Sequence, residues 1–132
     1  MADAFFDTNV LLYLLSQDVA KAGRAEALLA EGGTIGVQVL NEFTAVARRK
    51  LAMDWAEIRE ILGVFRQTLD VVPLTVEVHE AGLRIAEETG YGVYDSLILA
   101  AAGGIGADVV VFSEDMQDGQ RVGPVTIRNP FR

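Results

Sequence analysis

The chain has 132 residues, 51% of them hydrophobic, and a formal net charge of −8, the proportions of one domain that can bury roughly two thirds of its unfolded surface without covalent staples. It contains no cysteine, which excludes disulfides, thiolate zinc sites and cysteine nucleophiles. The acidic excess argues at first against a nucleic-acid partner, because phosphate contacts need Lys and Arg.

The start, Met1-Ala2-Asp3-Ala4, is acidic and lacks a signal-peptide pattern, so a cytoplasmic protein is expected. Ala4–Asp7 predicts a short strand, and Asn9–Leu15 and Lys21–Ala30 predict helices. After a second strand at Thr34–Val37, the segment Val39–Leu51 predicts a helix that turns Leu40, Phe43, Ala47 and Leu51 inward. Glu42 lies three residues after Val39 and four before Val46, so it flanks that apolar stripe. The same helix ends in the basic group Arg48-Arg49-Lys50, with Arg59 and Arg66 following. In Asp54–Leu69 the residues Ile58, Ile61, Leu62, Phe65 and Leu69 form one stripe, and Asp54 is placed to cap it.

A third strand is predicted at Val71–Leu74 and a helix at Val76–Thr89, with Val78, Ala81, Gly82, Ile85 and Ala86 inward and Gly90 closing it. The one histidine, His79, sits there between Glu77 and Glu80 and reads as a partly exposed structural residue. Tyr94-Asp95-Ser96 introduces the apolar run Leu97–Ala102. Even extended to Ala107, that run is broken by three glycines and is too short to cross a bilayer. Gly103-Gly104-Ile105-Gly106 follows a helix and precedes a strand, the reverse of a dinucleotide loop, and reads as a helix stop and turn. Asp108–Ser113 is the most apolar strand and Val125–Arg128 a weaker one; prolines fall at 73, 124 and 130. The strands are brief and rich in Val, Ile and Phe, and only the last alternates, which predicts a sheet buried on both faces. The whole reads as one α/β domain over residues 1–132.

No Walker-type Gly-Lys-Ser/Thr and no Gly-x-Ser-x-Gly elbow is present. One histidine without cysteine argues against a nitrogen- or sulfur-rich metal site. Oxygen ligands remain. Asp7 ends the first strand, Asp115 follows the strand Asp108–Ser113, and Asp95 and Glu42 start or flank helices. Residues at the carboxyl ends of strands in an open parallel sheet line one crevice. Carboxylates converging there would raise one another's pKa unless a cation joined them, and Mg²⁺ or Mn²⁺ suits such donors. Helix capping explains Asp7 with Asn9, or Asp95 with Ser96, equally well one at a time. In Ser113-Glu114-Asp115-Met116-Gln117-Asp118 the spacing leaves Glu114, Asp115 and Asp118 open as the fourth acid, and Asp118 is also placed to turn the loop at Gly119.

The chain resembles the PIN-domain ribonucleases, and especially the VapC-like toxins of bacterial toxin–antitoxin pairs. The resemblance is carried, in order, by Phe5-Phe6-Asp7-Thr8-Asn9-Val10-Leu11, Asn41-Glu42-Phe43, Tyr94-Asp95-Ser96-Leu97-Ile98-Leu99-Ala100-Ala101-Ala102, Phe112-Ser113-Glu114-Asp115-Met116 and Asn129-Pro130-Phe131. It implies a PIN-like three-layer α/β/α sandwich around a short, mainly parallel sheet of four to five strands. It also implies that Asp7, Glu42 and Asp95 are the core acidic ligands, Asp115 a more variable fourth, and Asn9 and Ser113 supporting polar residues. The function implied is hydrolysis of RNA, with tRNA and rRNA as candidate substrates, silenced by an antitoxin. A homodimer is implied as well, for which the helices Leu40–Leu51 and Asp54–Leu69 are candidate surfaces.

The mechanism expected is phosphodiester hydrolysis assisted by Mg²⁺ or Mn²⁺ and held by Asp7, Glu42, Asp95 and Asp115, with Arg48, Arg49 and Lys50 as a candidate grip on the RNA backbone. Two rivals stand beside it. A signalling receiver domain has similar length and an acidic strand end, but also uses a lysine on a late strand, and lysines occur here only at 21 and 50. A non-catalytic PIN-like RNA-binding module would share the fold without cleaving.

Overall fold

The computed structural model describes residues 2–132; Met1, which the reading of the start and the span 1–132 both include, lies outside them. Strand β1 (Asp3–Phe6) leads into α1 (Thr8–Leu12), a 3-10 turn at Tyr13–Leu15 and α2 (Val19–Ala30). Then come β2 (Thr34–Gly36), α3 (Val37–Arg49), α4 (Trp55–Thr68) and β3 (Asp70–Val72). Helices α5 (Val76–Thr89) and α6 (Val93–Gly103) precede β4 (Val109–Phe112), β5 (Arg121–Val122) and β6 (Val125–Arg128). The sheet order is β3-β2-β1-β4-β6-β5, parallel throughout except where β5 pairs antiparallel with β6. Among the described residues, six helices flank this central sheet.

Successive strand residues point to opposite faces, and adjacent Phe5 and Phe6 are both 0% exposed. Both faces of the sheet are therefore covered, as the unalternating strands predict. Phe5 pairs with Val111, which pairs with Ile127, and all three are fully buried. The next row brings Phe6 against Phe112, their rings stacked with centroids 5.7 Å apart. On the helical side, Phe43 of α3 meets Phe65 of α4 edge to face at 5.0 Å.

Local signals place most elements. Asp54 caps α4 in a reciprocal capping box with Glu57, and Gly90 closes α5 in the left-handed conformation at φ 81°. Gly103 and Gly104 end α6 as expected. His79 is exposed. Four expectations need correction. The sheet has six strands instead of four to five, because the chain doubles back at Gly123-Pro124 and adds the two-residue β5. Asp7 lies just beyond β1 and Val37 opens α3, so neither belongs to a strand. Leu74 likewise lies beyond β3 and is exposed. Leu51 also faces solvent, because α3 ends at Arg49 and the chain reverses through Ala52, a non-glycine residue at φ 52°. The inward residues of α3 are Val39, Phe43 and Ala47, with Leu40 only partly covered.

The chain builds outward from β1 to β2 and β3 on one side, then crosses to β4 on the other. That reversal leaves a crevice at the carboxyl ends of β1 and β4, the place where open α/β sheets put their ligands.

Candidate active site

Asp7 stands at that crevice. Its backbone N–H donates to Phe112 O at 3.0 Å, continuing the β1–β4 ladder, and the next residue of β4's own exit, Ser113, donates its N–H to Arg128 O at 3.0 Å. The two side chains consequently meet. The Ser113 hydroxyl donates to Asp7 Oδ2 at 2.8 Å, and Thr8 N–H donates to Asp7 Oδ1 at 2.7 Å. Asp7 is thus the N-cap of α1, and capping and membership of the acidic group coincide. Only 5% of Asp7 is exposed. Burial pushes its carboxyl up to about 6, against the Ser113 and Thr8 hydrogen bonds that lower it, while the charges of Asp95 and Glu42 raise it further.

Asn9, the second residue of α1, binds the crevice together. Its Nδ2 lies 3.3 Å from Asp7 Oδ2, 3.4 Å from Ser113 Oγ and 3.1 Å from Asp115 Oδ2. Its Oδ1 accepts from Glu114 N–H at 3.2 Å. Ser113, fully buried, also accepts from Asp115 N–H at 3.1 Å. One amide and one hydroxyl therefore fix Asp7 and the start of the loop after β4.

Asp95 is the third residue of α6, whose N-cap is Gly92, so it extends from the first turn instead of capping. Its carboxyl lies above the ordinary range because of burial first, then the charges of Asp115 and Glu42. Asp7, Glu42, Asp95 and Asp115 therefore share one electrostatic neighbourhood. Among the described residues no three Asp, Glu, His or Cys side chains close into a preformed cation cage. The donor set still fits a hard cation: all oxygens, one acid buried, and two acids whose charged forms are disfavoured without a counter-charge.

The loop after β4 separates its three acids. Glu114 accepts from Tyr13 Oη at 2.9 Å and from Lys21 Nζ at 3.2 Å. Lys21 also lies over the rings of Tyr13 and Phe131. Asp118 accepts from Asn129 N–H at 2.8 Å and lies 3.9 Å from Arg132. Of the three carboxylates, only that of Asp115 accepts from Asn9 among the described residues. The far end of the loop is braced by Tyr91, whose hydroxyl donates to Gln120 Oε1 and accepts from Gln117 N–H.

Glu42 is held by a residue that sequence reasoning passed over. Gln38, one turn earlier on α3, donates from Nε2 to Glu42 Oε1 at 2.6 Å and to the carbonyl oxygen of Tyr94 at 3.0 Å. The i, i+4 spacing of Gln38 and Glu42 was the available signal; the link to α6 had none. The basic group divides. Arg49 borders a groove that Glu42 also lines. Arg48 places its guanidinium 4.9 Å from the Trp55 ring centre and donates to Met53 O at 3.0 Å. Lys50 is exposed at the end of α3. No helix among the described residues is long and apolar enough to cross a membrane.

The family model for the PIN domain matches residues 4–121. Several solved structures are similar. A toxin–antitoxin complex from Klebsiella pneumoniae matches with TM-score 0.72 at 18% identity, covering 97% of this chain and 98% of that one. The DNA-bound VapBC of Salmonella typhimurium matches with TM-score 0.70 at 20% identity, covering 98% and 99%. VapC20 of Mycobacterium tuberculosis, described as a sarcin–ricin loop cleaving toxin, matches with TM-score 0.67 at 20% identity, covering 86% and 92%. At these identities the likeness is one of fold. No curated protein matches the sequence.

Proposed function

The chain belongs to the PIN domain family, and from that premise we propose that it is a metal-dependent endoribonuclease, the toxin of a toxin–antitoxin pair. The observation that carries this reading is the buried Asp7, fixed by Ser113 and Asn9 and coupled to the charges of Asp95 and Glu42. A buried carboxylate beside two others is costly unless a cation accompanies them. The toxin–antitoxin complexes of similar fold, and the sarcin–ricin loop cleavage after which VapC20 is described, support the choice of chemistry and partner.

Asp7, Glu42 and Asp95 would hold Mg²⁺ or Mn²⁺, with Asp115 as the fourth acid. Such an ion, when bound, lowers the pKa of a water and offsets charge on the phosphate. Ser113 and Asn9 orient the Asp7 carboxylate, and Asn9 sets Asp115 beside it. Gln38 holds Glu42 from the α3 side. Glu114 and Asp118 are engaged elsewhere and take no part. Arg49, at the edge of the site, meets the RNA backbone. The partners proposed are RNA (tRNA or rRNA), a cognate antitoxin and a second copy of the chain, in the cytoplasm.

The test is cleavage of a mixed RNA pool by purified protein with Mg²⁺, with Mn²⁺ and with EDTA, comparing wild type with Asp7→Asn and Asp95→Asn. Metal-dependent cleavage by wild type alone is expected. Full activity in the metal-stripped double substitution would overturn the mechanism, and RNA binding with no cleavage under any metal would select the non-catalytic module.

A further inference from the structure

Both ion pairs among the described residues end on the loop after β4: Lys21 Nζ lies 3.2 Å from Glu114 Oε2, and Arg132 Nη1 lies 3.9 Å from Asp118 Oδ2. The two acids flank Asp115 in sequence. Lys21 is the third residue of α2, where its backbone N–H donates to the capping Asp18. A cation in the first turn of a helix opposes the macrodipole, so its tertiary contacts, not the helix, explain a lysine at that position. Its Nζ reaches Tyr13 Oη at 3.1 Å and both Glu114 oxygens at 3.2 Å, and Tyr13 Oη donates to Glu114 Oε1 at 2.9 Å. The rings of Tyr13 and Phe131 meet edge to face at 4.6 Å, and Lys21 lies 4.7 Å and 5.6 Å from their centres. Arg24 donates to Pro130 O at 3.1 Å and holds the C-terminal tail against α2.

The Lys21 and Glu114 side chains are 33% and 29% exposed, and ion pairs so open to water contribute little to stability. The consequence of this pair is where the carboxylate stands. The backbone N–H of Glu114 donates to Asn9 Oδ1 at 3.2 Å, and the Nδ2 of that same amide meets Asp7 and Asp115. Glu114 is therefore rooted in the wall of the crevice, and among the described residues only Tyr13 and Lys21 engage its carboxylate. We propose that Lys21 is a positioning residue of the acidic site: by holding Glu114 outside the crevice, it selects Asp115 as the fourth acid. The inference rests on the metal-dependent nuclease reading. Released from Lys21, the flexible Glu114 side chain turns back and joins the other acids at a hard cation. There it fills coordination room that the attacking water and the phosphate need. One more anionic ligand tightens cation binding and slows cleavage.

The experiment measures Mn²⁺ affinity by calorimetry, and kcat/KM on a mixed RNA pool, for wild type, Lys21→Met, Glu114→Gln and the double substitution. Lys21→Met should bind Mn²⁺ on the order of tenfold more tightly and cleave about tenfold more slowly. Glu114→Gln alone should match wild type, and adding it to Lys21→Met should restore both quantities. A loop merely loosened by loss of Lys21 would bind Mn²⁺ more weakly, and Glu114→Gln would not rescue it. That result would overturn the inference and leave the nuclease reading standing, as would a Lys21→Met protein indistinguishable from a wild type that binds and cleaves. The expected Mn²⁺ pattern without RNA cleavage by any variant would uphold the inference and overturn the nuclease reading. A wild type that neither binds Mn²⁺ nor cleaves would overturn both.

Discussion

The Ser113 hydroxyl donates to Asp7 Oδ2 at 2.8 Å across the β1–β4 pair, joining residues that are 106 positions apart in sequence. This bond lowers the proton affinity of a carboxyl that burial raises. Ser113→Ala should therefore push Asp7 above its value of about 6 and let its carboxylate turn. Loss of a residue that orients a ligand typically costs about 10- to 100-fold in metal affinity or activity. Metal-binding calorimetry and cleavage rates across pH should show both a weaker site and a more alkaline activity limb. An unchanged limb would mean that Ser113 does not govern Asp7.

Asp7 also sets a pH dependence of stability. Its folded pKa, about 6, lies above the unfolded value of 3.8, so between these values the native state holds a proton that the unfolded chain releases. Stability from this source is complete below pH 4, declines as pH rises, and is gone above pH 6. Asp95 is raised as well and acts with the same sign. In metal-free buffer, denaturant unfolding should show Asp7→Asn to be more stable than wild type at pH 7.5, by on the order of 1–3 kcal/mol. The advantage should shrink toward pH 4, where the wild-type carboxyl is itself protonated and neutral.

A cation should reverse that order. Bound Mg²⁺ or Mn²⁺ would favour the ionised carboxylates, stabilising wild type by roughly 2.7 kcal/mol at a hundredfold excess over Kd, several degrees in Tm. Thermal melts should show this shift in wild type and its loss in Asp7→Asn and Asp95→Asn. A shift that persists in both variants would place the ion elsewhere.

The three acids after β4 should separate by substitution. Glu114 is held by Tyr13 and Lys21 and Asp118 by the backbone of Asn129, whereas Asp115 meets Asn9. Asp115→Asn should slow cleavage about tenfold or more, while Glu114→Gln and Asp118→Asn leave kcat/KM near wild type. Equal losses in all three would remove the distinction.

Gly82 is buried where α5 packs on α6, and a Cβ there would lie 2.7 Å from Leu97 Cδ2 and 3.5 Å from Leu97 Cα. Gly82→Ala gains up to about 1 kcal/mol of helix propensity but forces Leu97 aside, at about 1–3 kcal/mol. Net destabilisation by denaturant titration is expected, and a stability equal to or above that of wild type would mean that Leu97 moves aside at no cost.

Much of this was legible in the chain itself. The stripe Ile58, Ile61, Leu62, Phe65 and Leu69, the Asp54 cap and the Gly90 stop are short-range signals, so the helices follow from them. Asp7 and Asp115 were legible as candidates because they follow apolar strands, and a parallel sheet gathers strand ends on one side. The two-residue β5 was missed because so short a strand has no periodicity of its own. Leu51 was misplaced because a turn at Ala52 ends the helix before its stripe is complete.

Sequence alone determined which residues could become helix, strand and anionic tip, because caps, stripes and apolar runs act over one or two turns of chain. Only tertiary structure decided that Ser113 meets Asp7, that Lys21 and Tyr13 draw Glu114 away, and that Gln38 links Glu42 to α6. Those choices depend on strand order and on packing between residues tens of positions apart, where no local pattern fixes a partner.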